Sequence, residues 1–412
     1  MQRTFFFVIL FFAALPLFAA DADPSTLVGK VMCGYQGWHH APGDGSDFGW
    51  THYNGVNGKF EPGNCCFDLW PDMSEMDDDE KFATPFKHAD GSTADVFSPQ
   101  VRKTVVRHFL WMKEHDIDGV FLQRFVGSTT REQNRNARQT VMENVRASAE
   151  QHGRTWSMMY DLSGARDEMI PNTVISDWKR LIDENKITSD RMYQRHNGKP
   201  VVAVWGIGFN DSRRYSLKNC LELITFLKND HQYGGNTVMI GIPTYWREMK
   251  RDSLNDPLLH EIVLQADIAS PWTIGRFGTP EDARHYAETT AREDLAWCSE
   301  HGKEFLPVVF PGFSWHNLMK TRGTDARLNQ IPRLKGEFLQ TQYDAHINEG
   351  ARMIYQAMFD EIDEGTAIFK CSNDPPVGES PFITYEGLPS DFYLKLVGDA
   401  AKKLKRKLTI DN

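Results

Sequence analysis

What most constrains the fold of this chain is an alternation. Short, almost wholly apolar runs recur along it, separated by longer segments with helical spacing. The runs fall at residues 27–33 (LVGKVMC), 119–125 (GVFLQRF), 156–162 (WSMMYDL), 200–205 (PVVAVW), 237–243 (TVMIGIP), 268–272 (IASPW), 305–310 (FLPVVF) and 353–359 (MIYQAMF). Their aliphatic and aromatic bias is that of buried strands. The intervening segments carry helix signals: Val101, Val105, Phe109 and Met112 form one stripe, and Thr279 followed by Pro280, Glu281 and Asp282 is a good first turn. Eight strand-then-helix units predict a (β/α)₈ TIM barrel, whose parallel sheet is buried on both faces and so lacks polar alternation. An open doubly wound sheet would place a glycine-rich phosphate loop after the first strand. Gly34, Gly37, Gly43 and Gly45 do not make that pattern, and no G-x-x-x-x-G-K-[ST] occurs.

No linker or composition break divides the chain, so residues 23–412 are expected to form one catalytic-size domain with long loops at the C-terminal face. Residues 1–22 read as a signal peptide: Arg3, an apolar run from Phe5 to Leu17, then Ala20-Asp21-Ala22 as an A-x-A cleavage site. The run is too short to span a membrane comfortably. The expectation is a secreted protein, periplasmic or extracellular. Fifty-six acids against 46 bases, a net charge of −10, argue against nucleic acid as a partner. The six cysteines include no C-x-x-C pair, which sets aside zinc-ribbon and thioredoxin readings and leaves disulfide pairing open.

In a barrel the chemistry lies where the strands end. Here those positions hold Tyr35, Gln36 and Trp38; Gln123 and Arg124; Tyr160 and Asp161; Trp205; Tyr245 and Trp246; Trp272; and Trp315 and His316. Aromatic faces cover the apolar C–H faces of sugar rings while Gln, Arg, Asp and His take hydroxyls, so these are candidate substrate-binding residues of a carbohydrate cleft. The last strand runs into Asp360, Glu361, Asp363 and Glu364, and Gly365 follows. Acids so crowded raise one another's pKa. Glu361 and Glu364 are three apart; on a helical turn their Cβ atoms would lie about 5–6 Å apart, near the separation of two carboxyls in a retaining glycosidase. They are the candidate catalytic pair, with Asp360 and Asp363 beside the substrate. Arg124 or His316 is expected to keep the lower-pKa acid charged. His39, His40 and His52 fit no familiar metal spacing, the acids from Asp72 to Glu80 lack an EF-hand pattern, and no G-x-S-x-G occurs. No metal or cofactor is expected.

With these residues on the page, a family resemblance appears. DEIDEGTAI (360–368) resembles the E-W-H-E-G-T segment of glycoside hydrolase family 99. GYQGWH (34–39), WPDMSE (70–75) and PGFSWHN (311–317) resemble secreted bacterial proteins grouped as family 71/99-like, some of them labelled xylosidase/arabinosidase. The resemblance covers nearly all of the chain beyond the signal segment. It implies a (β/α)₈ barrel in which Glu361 acts as base on the sugar's own 2-hydroxyl. That hydroxyl attacks C1 to give a 1,2-anhydro sugar, while Glu364 is acid to the leaving oxygen and then base to water, with net retention. Ile362 and Asp363 replace the family's Trp and His, so its α-mannoside specificity is not carried over. A secreted glycoside hydrolase acting on an oligo- or polysaccharide is expected. The alternative is a non-catalytic carbohydrate-binding protein on a degenerate barrel. The oligomeric state is open.

Overall fold

The structure is a computed structural model that describes residues 20–411. Residues 1–19 of the expected signal segment lie outside the described residues. Chain order begins with β1 (Val31–Tyr35), a hairpin of β2 (Phe82–Lys87) and β3 (Thr93–Val96), α1 (Arg102–Glu114), β4 (Gly119–Phe125) and α2 (Glu132–His152). It continues with β5 (Thr155–Asp161), α3 (Met169–Asp183), β6 (Arg195–His196), β7 (Lys199–Trp205), α4 (Leu217–Asn229), β8 (Thr237–Pro243) and α5 (Leu258–Gln265). The last third holds β9 (Ile268–Trp272), α6 (Pro280–Tyr286), α7 (Arg292–Glu300), β10 (Glu304–Phe305), β11 (Val308–Val309), α8 (His316–Thr321), α9 (Glu337–Asn348), β12 (Ile354–Gln356) and α10 (Phe392–Asp411).

The parallel sheet runs β10-β9-β8-β7-β5-β4-β1-β12-β11, and β10 and β11 are two halves of one strand. Pro307 separates them because it has no N–H to give the ladder. Leu306 N still donates to Ala269 O (2.9 Å) on one side, and Pro307 O accepts from Tyr355 N (2.9 Å) on the other. The sheet therefore closes into the expected (β/α)₈ barrel.

Alternation along the strands divides the core in two. Met32, Phe121, Met159, Ala203, Met239, Val308 and Tyr355 pack inside the barrel. Their neighbours Cys33, Val120, Met158, Val202, Val238, Val309 and Ile354 face the helical layer. Gly34 is required here: a Cβ on it would lie 2.2 Å from the Tyr355 hydroxyl.

Three local differences from the sequence reading have physical causes. The first strand pairs over 31–35 rather than 27–33, and Leu27 instead plugs the barrel floor. The eighth pairs only through Gln356, after which Met358 and Phe359 turn back onto residues 366–369 (Met358 N to Thr366 O, 3.2 Å; Phe369 N to Phe359 O, 3.0 Å). The hairpin β2–β3 arises inside the long first loop, where Phe60, Phe67, Trp70, Phe86 and Phe382 form an aromatic cluster. The acids of that loop are tied up by bases: Lys103 reaches Asp77 (2.6 Å) and Asp79 (2.9 Å), and Arg107 reaches Glu80 (2.6 Å). All six cysteines are free and buried.

Candidate active site

Residues 360–365 form a tight turn as the chain leaves the eighth strand, closed by Gly365 N donating to Ile362 O (3.3 Å). Gly365 has φ +63°, and a Cβ there would press to 3.0 Å on the Ser314 backbone. The turn is gripped from behind. Arg333, fully buried between the rings of Tyr385 (4.8 Å) and Tyr393 (4.5 Å), donates to Gly365 O (2.8 Å) and Ala367 O (2.7 Å). Ser314 N donates to Glu364 O (2.9 Å), linking the turn to the loop after the seventh strand.

Each of the four acids meets different company. Asp360 is bound to backbone: its oxygens accept from Gln36 N (2.7 Å) and Gly37 N (2.8 Å). Burial raises its pKa, opposed by His39 and by those two N–H groups. Glu361 accepts from the Gln36 side-chain amide. Burial, then the charges of Glu364 and Asp363, push it well above the usual 4.5. Asp363 lies between two histidines, His52 Nδ1 at 2.8 Å and His39 Nε2 at 3.4 Å. Burial pushes its pKa up, but the His52 charge and the hydrogen bonds of both imidazoles outweigh this and leave it below the ordinary value. Glu364, half-buried, is raised to about 7 by burial and by the charge of Asp363, with Arg322 opposing and Asp161 adding.

Asp161, at the end of β5, is the next carboxylate of the mouth. It accepts from Ser163 N (2.7 Å), and burial raises it to about 6. Gln123 donates to the Tyr355 hydroxyl (2.9 Å) below the acids. Trp205 and Trp272 meet edge to face at 5.2 Å, and Trp272 lies 5.9 Å from Tyr355. Gly241 leaves room for this: a Cβ on it would lie 2.2 Å from Trp205. Across the mouth Trp38 stacks on His52 (3.8 Å) and Phe125 (5.2 Å). Gln36 Oε1, Gln123 Oε1, Trp38 Nε1 and Trp205 Nε1 are all buried without a protein hydrogen-bond partner.

Glu361, Glu364, Asp360, Asp363, Gln36, Trp38, Gln123, Asp161, Trp205 and Trp272 are thus gathered at one face. Six other expected residues are placed differently. Tyr35 points outward and bonds His108 Nδ1 of α1 (2.9 Å). Arg124 also faces the helices, in a bidentate pair with Asp177 of α3 (2.5 and 2.7 Å). It therefore reaches neither Glu361 nor Glu364, and the positive charge that opposes the raised pKa of Glu364 is that of Arg322. Trp246 is buried against Trp297 (4.9 Å) and His260 (5.9 Å). Tyr245 lines a separate cavity with Arg251 and Arg276. His316 is held by Ala326 O (2.7 Å) and touches the acidic turn only through its loop. Trp315, on the same loop, bonds Gln330 (2.8 Å) and stays partly exposed.

Sequence reasoning missed Asp68, Arg333 and the roles of His39 and His52. Asp68 accepts from Ser314 Oγ (2.6 Å), His316 N (2.7 Å) and Asn317 N (2.8 Å), and its own N–H reaches Ile362 O (3.2 Å). The histidine spacing read against a metal was the one available signal. Its object is Asp363.

No protein-family model matches the chain, and no curated protein is similar to it in sequence. Solved structures of a GH99 endo-alpha-mannosidase from Bacteroides thetaiotaomicron are similar in fold. One in complex with BIS-TRIS-propane has a TM-score of 0.63 at 15% identity, and another has 0.62 at 16%. Each comparison covers 93% of this chain and 100% of that one. At such identities the likeness is one of fold, and it matches the barrel described above.

Proposed function

We propose that this protein is a glycoside hydrolase that cleaves glycosidic bonds of an oligo- or polysaccharide with retention, through Glu361 and Glu364. The observation that carries this reading is the pair of glutamates on the turn after the eighth strand, Glu361 buried and Glu364 half-buried, both raised above the ordinary range, Glu364 to about 7. Glycoside cleavage needs one carboxyl protonated and another ionised at the same pH. Two coupled acids, both raised by burial and one of them to about 7, meet that need when one keeps its proton and the other gives it up. We assign Glu364 the proton for the leaving oxygen and Glu361 the base that takes the proton of the substrate's own 2-hydroxyl as that oxygen bonds C1; the Gln36 N–H offsets, in part, the burial and neighbouring acids that raise Glu361. Glu364 then takes a proton from the water that attacks C1, while the bond from C1 to the 2-oxygen breaks and Glu361 returns its proton to that oxygen.

The binding groups fit the same reading. Trp205 and Trp272 offer faces to sugar rings. The unpaired polar atoms of Gln36, Gln123, Trp38 and Trp205 offer acceptors and donors to hydroxyls. We take residues 23–412 as a single catalytic domain exported behind the 1–22 signal segment, to act outside the cytoplasm on glycans. The family 99 preference for α-mannosides does not follow, because Ile362 and Asp363 stand where that family has Trp and His.

The test is a panel of oligo- and polysaccharides with wild type and Glu364→Gln, reading released reducing ends. Release by wild type that the variant loses supports a hydrolase with this acid. Silence from both, with glycan binding intact, turns the reading to a carbohydrate-binding barrel.

A further inference from the structure

Tyr245 does not join the catalytic acids, and where it goes instead is informative. It lines a cavity of about 390 Å³ on the C-terminal face, between the loops after β8 and β9 and the side of α6. Arg251, Arg276, Phe277, His285 and Thr289 share that lining. The volume is ample for one sugar ring with a charged substituent.

Both arginines are exposed, and each is held by a neighbour. The Arg251 guanidinium lies 4.3 Å from the centre of the Tyr245 ring, and its Nη1 donates to the Tyr245 hydroxyl (2.7 Å). This leaves its Nε and Nη2 without a protein partner. Arg251 and Met249 both adopt left-handed backbone, φ +53° and +52°, which non-glycine residues adopt only at a cost of about 1 kcal/mol or more. Arg276 is anchored through Nε to Asp252 (2.9 Å), which also accepts from Thr244 N (3.0 Å) and Tyr245 N (3.2 Å). Its two terminal nitrogens remain open. The one acid in the lining, Asp282, is occupied by the Thr279 hydroxyl (2.7 Å) at the start of α6. In a chain with net charge −10, two arginines here stand against two carboxylates, Asp252 and Asp282, a local balance of charge in an acidic protein.

The loops that line the cavity are also tied to the strand end that carries Trp272. Thr244 Oγ1 donates to Trp272 O (2.6 Å), and Arg276 N donates to Thr273 O (3.0 Å). Trp272 and the cavity thus share the loop that follows β9. We propose that this cavity is a distal subsite for an anionic group of the glycan, a uronate carboxylate or a sulfate ester, taken by Arg251 and Arg276. Arginine forks match planar carboxylates and sulfates with paired charge-assisted hydrogen bonds. The inference rests on the reading of the mouth as a glycan site, and it names a chemical class for that glycan.

The test is binding rather than turnover, so that it stands apart from the hydrolase reading. Glu364→Gln protein is applied to an array of uronate-containing, sulfated and neutral glycans. The affinity of each hit is then measured for that protein and for Glu364→Gln carrying Arg251→Gln and Arg276→Gln, with folding checked by circular dichroism. The expected result is that acidic glycans bind at least about tenfold tighter than neutral ones of the same length, and that the double arginine change removes this preference while leaving neutral binding unaltered. Preference for uronates or for sulfate esters identifies which anion is meant. Capture of neutral glycans only, no acidic glycan bound, or a preference that survives the arginine changes overturns the proposal. A clear acidic preference with no hydrolysis on any substrate leaves the subsite standing and removes the hydrolase.

Discussion

Asp363 is the residue on which the acids of the turn depend. It stays ionised because His52 and His39 close on its two oxygens, and its charge is the second cause, after burial, of the raised pKa of Glu364. Asp363→Asn removes a negative charge beside Glu364, so the Glu364 pKa falls from about 7 toward the ordinary carboxylate range. The alkaline limb of the rate profile therefore moves to lower pH, and the ratio of activity at pH 5 to that at pH 7 rises severalfold. A profile unmoved by the change refutes this coupling. Stability carries the same sign. A carboxyl titrating at about 7 in the folded chain and near 4.5 unfolded binds its proton more tightly when folded, so its contribution is fully present below 4.5 and fades as pH rises through 7. Glu364→Gln should flatten the melting temperature between those values, a difference of about 3 kcal/mol at most. Sequence made the crowding of these acids legible. It did not show that Asp363 has histidine partners, since His39 and His52 lie over 300 positions away, nor that Tyr35 and Arg124 face outward. Gln36 and Tyr35 are neighbours, as are Gln123 and Arg124, and on a strand or at its end neighbours point to opposite sides.

At the scale of elements, strand positions were legible because a buried parallel strand is written as an apolar run. Those of β4, β8 and β9 coincide with the runs read from sequence. The loops were not, because their contacts are long-range. Asp68, deep in the first loop, ties the Ser314–Asn317 segment and the Ile362 carbonyl together, and Ser314 in turn holds Glu364. Asp68 thus positions the acidic turn without touching a substrate. Asp68→Ala leaves two backbone N–H groups and a hydroxyl without their acceptor in a buried place, a loss of about 2–4 kcal/mol. Because the turn loosens while the aromatic mouth does not, kcat should fall at least tenfold with KM changed little. Thermal melts and steady-state kinetics check both parts. Loss of KM alone assigns Asp68 to binding instead.

At the scale of the whole molecule, an expected extracellular chain with six cysteines raises the question of what stabilises it. Small secreted domains lean on disulfides because their cores are too small. Here 412 residues close a barrel with one apolar cluster inside and another between sheet and helices. The cysteines are spread through that interior as small apolar side chains: Cys33 on β1, Cys220 on α4, Cys298 on α7, Cys371 after the acidic turn, and Cys65 and Cys66 in the first loop. Burial raises every one of their thiols, to about 11 for Cys65 and about 12 for Cys220, Cys298 and Cys371, so thiolate at neutral pH is scarce and exchange is slow. Protein purified from an oxidising compartment should therefore show no thiol reactive toward Ellman's reagent when native and six when unfolded, with a melting temperature unchanged by reductant. Four or fewer thiols in the unfolded protein, with a melt lowered by reductant, would mean that a disulfide forms on export and that the packing around its two cysteines differs from that described above.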